Sequence, residues 1–364
     1  MNPSLAIDSA TNILSGAEDR STRLQILDPL AVPNWDALIS ALPGSSFFHS
    51  AGWARVLEET YHYKPLYFAQ IADGKLQALL AVMEVESWLT GKRGVSLPFS
   101  DGCELLALED AGAKAVLSEA RRYGTEAHWK YLEVRSDRIP EAAKQSVIFL
   151  SHTLELSREE ERIFGGFESS VRRAIRRAEK AGVTVEISRS LEAVKKFYAL
   201  HCKTRQKHGV PPQSFAFFAS FQRHILAHNL GFVAVASLKG EPVAANVFVH
   251  FGNDAVYKYG ASDEKYQNFR GANLAMWHGI AWYARAGYER VHFGRTARWN
   301  EGLRRFKLGW GAQEASTGYF KCDLKAKRYV SSKEESFGWS NRIISRIPIP
   351  VAKVIGRVLY PHVA

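Results

Sequence analysis

Residues 231–262 read GFVAVASLKGEPVAANVFVHFGNDAVYKYGAS. Three runs rich in Val, Phe and Tyr are divided by Lys239–Gly240–Glu241 and Gly252–Asn253–Asp254, both composed of turn-forming residues. This pattern predicts three consecutive antiparallel strands. Downstream, residues 271–285 predict a helix, ERVHF (289–293) a strand and QEASTGYF (313–320) another. Upstream, GVTVEIS (182–188) predicts a strand, followed by helices over 190–207 and 214–229.

The first part of the chain repeats this order coarsely. LQILDPL (24–30) reads as a strand, and Pro33 suits a helix start. Ser50 is placed to cap a helix carrying Trp53, Val56, Leu57 and Tyr61 on one face. A hairpin follows at Asp73–Gly74, then a buried-looking VSLPF segment, a helix over 110–123 and the strand WKYLEVR (129–135). The echo favours a duplicated α/β fold over a dinucleotide-binding fold. The expected organisation is a flexible start (1–20), a first lobe (21–165), a basic helical connector (166–182), a second lobe holding the cleft (183–328) and a tail (329–364) that packs on the body or a membrane.

Bulk properties bound the function. The 364 residues are 46% hydrophobic and 23% charged, which supports packed domains and argues against global disorder. A formal charge of +11, from 48 Lys and Arg against 37 Asp and Glu, favours an anionic partner: nucleic acid, nucleotide phosphate, acidic glycan or anionic lipid. Cys103, Cys202 and Cys322 form neither a zinc spacing nor a disulfide framework, and they suit a reducing compartment. No HExxH or comparable motif occurs among the twelve histidines, so no metal site is expected. The first twenty residues do not resemble a signal peptide, and no apolar run reaches the ~18 residues of a spanning helix. The expected location is cytoplasmic, with the inner face of the membrane as a place of peripheral attachment.

The strongest electrostatic feature is ESSVRRAIRRAEKAGVTV (168–185). Ser169 or Ser170 is placed to cap a helix there, and Gly182 to end it. Four-residue spacing puts Arg172, Arg176 and Lys180 on one side. Arginine supplies planar donors for phosphate or carboxylate, so Arg172 and Arg176 are candidates for an anionic substrate; a solvated basic face is the competing reading.

Candidate chemistry concentrates at 243–310. Tyr257 and Tyr259, two residues apart, should share a strand face and orient a substrate in a cleft, with aromatic core packing as the alternative. His250 is a candidate substrate contact. Arg295 and Arg298 in FGRTARW, and Arg305 in RRFKLGWG, are placed to hold a pyrophosphate or carboxylate, and Gly294 permits close backbone approach. Lys307 is the candidate catalytic cation, contacting phosphate or stabilising negative charge on an attacked carbonyl. Arg205, in HCKTRQKHGVPP (201–212), is a further substrate-binding candidate. In QNFRGAN (267–273), Gln267, Arg270 and Gly271 lie where a helix start would offer main-chain donors to a cofactor phosphate, although Gly271 comes one residue late for the usual acetyltransferase pattern.

FFHSAGWARVLE (47–58), GKRGVSLPFSD (91–101), SSVRRAIRRAEKAGV (169–183), HCKTRQKHGVPP and the stretch from Pro242 to Gln313 together resemble the FemAB-like family with a BioF2-like acetyltransferase domain. The likeness spans roughly 25–325, and is greatest to FemAB proteins associated with exopolysaccharide and PEP-CTERM protein-sorting systems. It implies an α/β fold of tandem GNAT-like lobes (acyl-CoA N-acyltransferase-like) with mixed, largely antiparallel sheets. It also implies transfer of an acyl or aminoacyl group to an amine on an anionic cell-envelope or exopolysaccharide-related acceptor. Characterised peptidoglycan-bridge members use aminoacyl-tRNA as donor. Phe306–Lys307 resembles their FK element, whose lysine binds substrate phosphate and stabilises transition-state charge. The frequent DFGRS element appears here as His292–Phe293–Gly294–Arg295–Thr296, and the coiled-coil insertion of some members has no counterpart. No tightly bound cofactor is expected; the activated donor is either aminoacyl-tRNA or acyl-CoA. The alternatives are an acyl-CoA-dependent N-acyltransferase of small amines or glycans, and a noncatalytic module that binds an anionic polymer.

Overall fold

A computed structural model describes residues 22–137, 139–331 and 344–363, so the expected flexible start at 1–20 lies outside the described residues. The three strands expected over 231–262 are β9 (Gly231–Leu238), β10 (Glu241–Phe251) and β11 (Asp254–Ser262). Their turns use positive φ at Lys239, Gly240 and Gly252, as the turn residues foretold.

Two halves repeat one plan. The first half runs β1 (Arg23–Leu27), α1 (Trp35–Ser40), α2 (Ala51–Tyr61), β2 (Lys64–Ala72), β3 (Lys75–Val85), β4 (Arg93–Val95), β5 (Leu106–Ala107), α3 (Asp110–Glu126) and β6 (Tyr131–Val134). In the second half, β8 (Val183–Ser188), α6 (Leu191–Lys207) and α7 (Phe215–His224) precede β9 to β11; α8 (Gly271–Arg285) and β12 (Arg290–Ala297) follow. In each half the helix before the last strand makes a crossover, and it joins a parallel pair: β4 with β6, β11 with β12. The other ladders are antiparallel, and the fold is the mixed, largely antiparallel α/β arrangement expected.

Two more strands fuse the halves. β7 (Val147–Glu155) follows β6 in the chain but pairs with β12, whereas β13 (Gln313–Asp323) follows β12 and pairs with β6 through Phe320–Asp323. β7 and β13 pair with each other from Val147 to Thr153, which makes one continuous sheet. β7, placed by the expected boundary at 165 within the first lobe, is hydrogen-bonded into the second half. Its VIFLSHTLE sequence does not encode which neighbour it will find.

Three cores cover the sheet. One joins the halves, with α1 and α2 against α6 and α7; Trp53 meets Phe217 and Phe221 at ring-centroid distances of 6.1 and 6.5 Å. The other two are separate: α3 covers the first half, and α5 (Ser169–Lys180) with α8 covers the second. The expected connector is therefore a packed helix, with Val171, Ile175 and Ala178 buried against the second half. Its N-cap is Glu168, without the serine side-chain bond anticipated from sequence. Ser50 does cap α2, accepting from the Trp53 main-chain N–H.

The described end of the tail, residues 344–363, packs on the body. α10 (Ile349–Leu359) lies against α6 and sits so close that a Cβ on Gly356 would come 1.9 Å from the Pro212 carbonyl oxygen. Tyr63 Oη donates to the Tyr360 and Pro361 carbonyls, while Arg93 and Thr90 donate to that of His362. Among the described residues no helix is long and apolar enough to cross a membrane.

Because β7 is paired on both sides, Leu150→Pro should destabilise both halves together by roughly 1–3 kcal/mol through an unmade ladder bond. Denaturant titration followed by tryptophan fluorescence should give one transition at a lower midpoint; independent melting of one half would contradict this account of the sheet.

Candidate active site at the junction of the halves

The junction begins with two irregular strands. β11 and β12 pair only over Asp254–Val256 and Arg290–His292. Beyond that point β11 bulges opposite Val247–Phe248, which leaves Lys258 as the extra residue, and β12 bulges between His292 and Arg295. A bulge breaks the two-residue alternation. Tyr257 therefore packs against Phe248 and Phe293 in the α8 core, while Tyr259 packs among Phe197, Phe218 and Phe221 in the core shared by the halves. The expected common face is corrected: the tyrosines lie on opposite faces, because one inserted residue shifts the pleat. Burial raises both phenol pKa values, so each hydroxyl stays neutral through ordinary pH.

Lys258, unremarked in sequence, takes the central place between them. Its side chain is 5% exposed, and Nζ donates to the Phe99 carbonyl at 2.7 Å and to Asp101 Oδ2 at 3.1 Å. It also lies 4.9 Å from the Phe48 ring centroid. Burial pulls the ammonium pKa down, opposed by Asp101. Asp101 arrives on the 96–101 loop of the first half, where Leu97 and Phe99 both have positive φ. Such φ values in bulky residues store strain that the surrounding contacts must hold. Burial would raise the Asp101 pKa, yet Lys258, Arg295 and Lys307 outweigh it and hold the carboxyl below its ordinary value. Asp101 therefore remains a carboxylate as pH falls to its usual titration range.

Gly294 lets this loop in. Its φ is +68°, and a Cβ there would sit 3.0 Å from the Asp101 carboxyl. The Gly294 carbonyl and its neighbour at Arg295 accept from Lys307 Nζ at 2.8 and 3.1 Å. Lys307 is on α9 (Glu301–Leu308), is 2% exposed, and has its pKa pushed down to about 8 by burial, with Asp101 acting against the shift. Arg295 donates to Tyr319 Oη at 2.8 Å and lies 4.4 Å from the Phe149 ring centroid. Tyr319 Oη in turn donates to the Asp101 carbonyl at 2.9 Å. Asp101, Lys258, Arg295, Lys307 and Tyr319 thus form one connected cluster built from both halves.

Other predicted residues lie elsewhere. His250 is buried, with Nδ1 at 3.1 Å from Tyr283 Oη and its ring beside Trp282 and Tyr288, so its sequence role as a substrate contact gives way to a packing one. Arg205 donates to Tyr360 Oη at 2.6 Å and the Pro211 carbonyl, and is occupied in holding the tail. Arg172 donates to the Gly165 carbonyl, and with Arg176, Phe164 and Trp277 it lines a surface pocket between α4 (Glu160–Gly166), α5 and α8. Arg298 and Arg305 are exposed near α9, beside Arg304, which pairs with Glu314. Gln267, Arg270 and Gly271 stand at the start of α8, where Arg270 has φ +58° and a Cβ on Gly271 would come 2.8 Å from Val243. His292 contacts Thr153 Oγ1 at 3.0 Å and lies 3.6 Å from Asp254, apart from the Asp101 cluster. Among the described residues no three His, Cys, Asp or Glu side chains gather as a metal site. Asp101, Lys258 and Tyr319 were missed; the one available signal was a lysine inside the otherwise apolar VYKYG run.

Residues 166–315 match a family model described as an acetyltransferase (GNAT) domain. Among solved structures, FemX is similar with a TM-score of 0.68 and 15% identity, over 82% of this chain and 96% of FemX. A tandem GNAT protein from the clavulanic acid biosynthesis pathway is similar at a TM-score of 0.50 and 9% identity, over 84% of this chain and 99% of its own. No curated protein sequence gives a significant match.

Removing the cation from the buried pair should be costly. Lys258→Met is expected to lower stability by about 3–5 kcal/mol, and Lys258→Met with Asp101→Asn by clearly less, because no bare carboxylate remains. Thermal or denaturant unfolding of the two variants checks this; equal losses would mean that the charge pair is not the source.

With a GNAT domain over 166–315 and the tandem GNAT architecture along the described chain, the protein is an acyltransferase of the GNAT fold.

Proposed function

We propose that the protein transfers an acyl or aminoacyl group to an amine on an anionic envelope- or exopolysaccharide-related acceptor. The observation that carries this reading is Lys307: a buried ammonium with two protons bonded to the Gly294 and Arg295 carbonyls, leaving a third for a reacting oxygen. An acceptor amine in its neutral form attacks the donor carbonyl. A C–N bond forms, charge develops on the carbonyl oxygen, and Lys307 stabilises that charge in a site with little water. Collapse breaks the C–O bond of an aminoacyl-tRNA or the C–S bond of an acyl-CoA, and the amine proton leaves to the departing group or to solvent.

Asp101 has one oxygen engaged by Lys258 and is 27% exposed, which suits it to accept a hydrogen bond from the acceptor amine and orient it. Its depressed pKa makes it a weak base, so orientation is its part. Arg295, Arg298 and Arg305 supply positive charge for the acceptor's anionic group, and Arg172 and Arg176 extend it along the outer face. For the donor, the reading uses the end of the β11–β12 pairing at Val256 and His292, and the first turn of α8 at Gly271, whose main-chain N–H groups would face a phosphate. Gln267 and Arg270 flank that turn. Tyr257 and Tyr259 border the bulge and position Lys258 without titrating. The setting is the cytoplasmic side of the membrane, where envelope precursors carry both phosphate and amine groups.

The test is product identification by mass spectrometry with purified protein, amine acceptors bearing phosphate, and either charged tRNA or acyl-CoA. Turnover only with charged tRNA selects aminoacyl transfer, turnover with acyl-CoA alone selects N-acylation, and no product with either donor refutes the proposal. Lys307→Ala should keep its fold by circular dichroism and lose about 10²–10³-fold in kcat/KM; full turnover would remove Lys307 from the mechanism.

The pH profile supplies an independent check. Lys307 is protonated below its folded pKa of about 8 and loses its charge above it. The rate should therefore fall as pH rises through about 8, well below the range of an ordinary lysine. A profile flat to pH 10 would contradict the role given to this cation.

A further inference from the structure

The last helix is mounted the wrong way round for a helix that stabilises a core. α10 turns its small residues, Ala352 and Gly356, inward against α6 and Pro212. Ile349 is partly buried against the shared core, but the valines point outward: Val351 is 50% exposed, Val354 63% and Val358 54%. Their spacing of three and four places them on one stripe. Leu359 and Val363 are also exposed.

A second exposed apolar element lies beside the segment that follows α10. The 86–92 loop carries Trp88, 82% exposed, and Leu89, 53% exposed. Trp88 meets the His362 ring at 5.3 Å, and His362 is fastened to the same loop by Ser87 and Thr90. The loop is thus held against the segment that leaves α10, and Trp88 is kept outward.

Charge identifies the occupant. Residues 341–364 contain Arg342, Arg346, Lys353 and Arg357 and no Asp or Glu, in a chain of net charge +11. Lys353 lies 5.1 Å from the Tyr198 ring centroid, at the edge between the buried and exposed sides of α10, and Arg357 is exposed one turn further on. Glu86 is the one carboxylate of the tryptophan loop. Exposed valines, a tryptophan and flanking cations are what a helix lying in the headgroup region of an anionic bilayer requires. A protein partner would be expected to offer this basic face compensating carboxylates, and a second copy of this chain would bring like charge to like.

We propose that α10 and the Trp88 loop form one docking surface for an anionic membrane, with the valine stripe and Trp88 inserted and Arg346, Lys353 and Arg357 at the phosphates. This inference stands independently of the transfer chemistry.

Co-sedimentation of the full chain with vesicles of phosphatidylcholine, alone or mixed with phosphatidylglycerol, tests it. Wild type should pellet with the mixed vesicles, much less with phosphatidylcholine alone, and less at high salt. Val354→Asp with Val358→Asp, and separately Trp88→Ser, should each weaken binding by about tenfold or more, and Arg357→Glu should remove much of the preference for phosphatidylglycerol. Circular dichroism and the melting temperature should be unchanged, since these side chains face solvent. Wild type that does not pellet, or Val354→Asp with Val358→Asp that pellets as wild type does, overturns the proposal. So does a dimer by light scattering that the same double substitution dissociates, because the stripe would then be covered by a second copy.

Discussion

β13 hydrogen-bonds to β7 over Gln313–Tyr319 and to β6 over Phe320–Asp323, and through those few residues two α/β halves become one sheet. The strand that follows each half in the chain pairs with the last strand of the other, β7 with β12 and β13 with β6, so the two halves share one sheet. Burial reinforces the constraint. Trp53, Phe217 and Phe221 belong to a core that spans α2 and α7, and separating the halves would expose it. Burying side chains of that size contributes about 1.5–3 kcal/mol each, so the junction is a fixed part of the fold.

A fixed junction allows a charged cluster to be held at low solvent exposure. The first half supplies Asp101 on a loop with two left-handed residues; the second supplies Lys258, Arg295 and Lys307. Each ion alone would be expensive to bury, and their mutual arrangement offsets that expense. The pKa shifts carry the same message: the carboxyl is held low by three cations, while Lys307 is brought to about 8 because burial exceeds what Asp101 returns. Gly294 is the steric condition for the arrangement, since a side chain there would meet the carboxyl.

The tail reverses the usual use of amphipathicity. Ala352 and Gly356 allow α10 to approach Pro212 closely, which leaves the valines outside. Arg205 and Tyr63 both bind the segment after α10, so Arg205, which the sequence offers as a substrate contact, serves to fasten the chain.

Much of the local structure was legible from sequence because it depends on neighbours in the chain. The turns at Gly240 and Gly252, the Ser50 cap, the helix over 271–285 and the end of the basic helix near Gly182 follow from local conformational preference and short-range hydrogen bonding. Lys307 and Arg295 were legible as a cationic region, and the motifs around them carried the resemblance to acyl-transferring proteins. The tertiary structure alone decided the rest. It split Tyr257 from Tyr259 through a bulge, put Lys258 between them, brought Asp101 across from the other half, and sent β7 and β13 to exchanged neighbours. These outcomes depend on strand register and on the approach of segments more than 130 residues apart, and the periodicity of a single chain segment records neither.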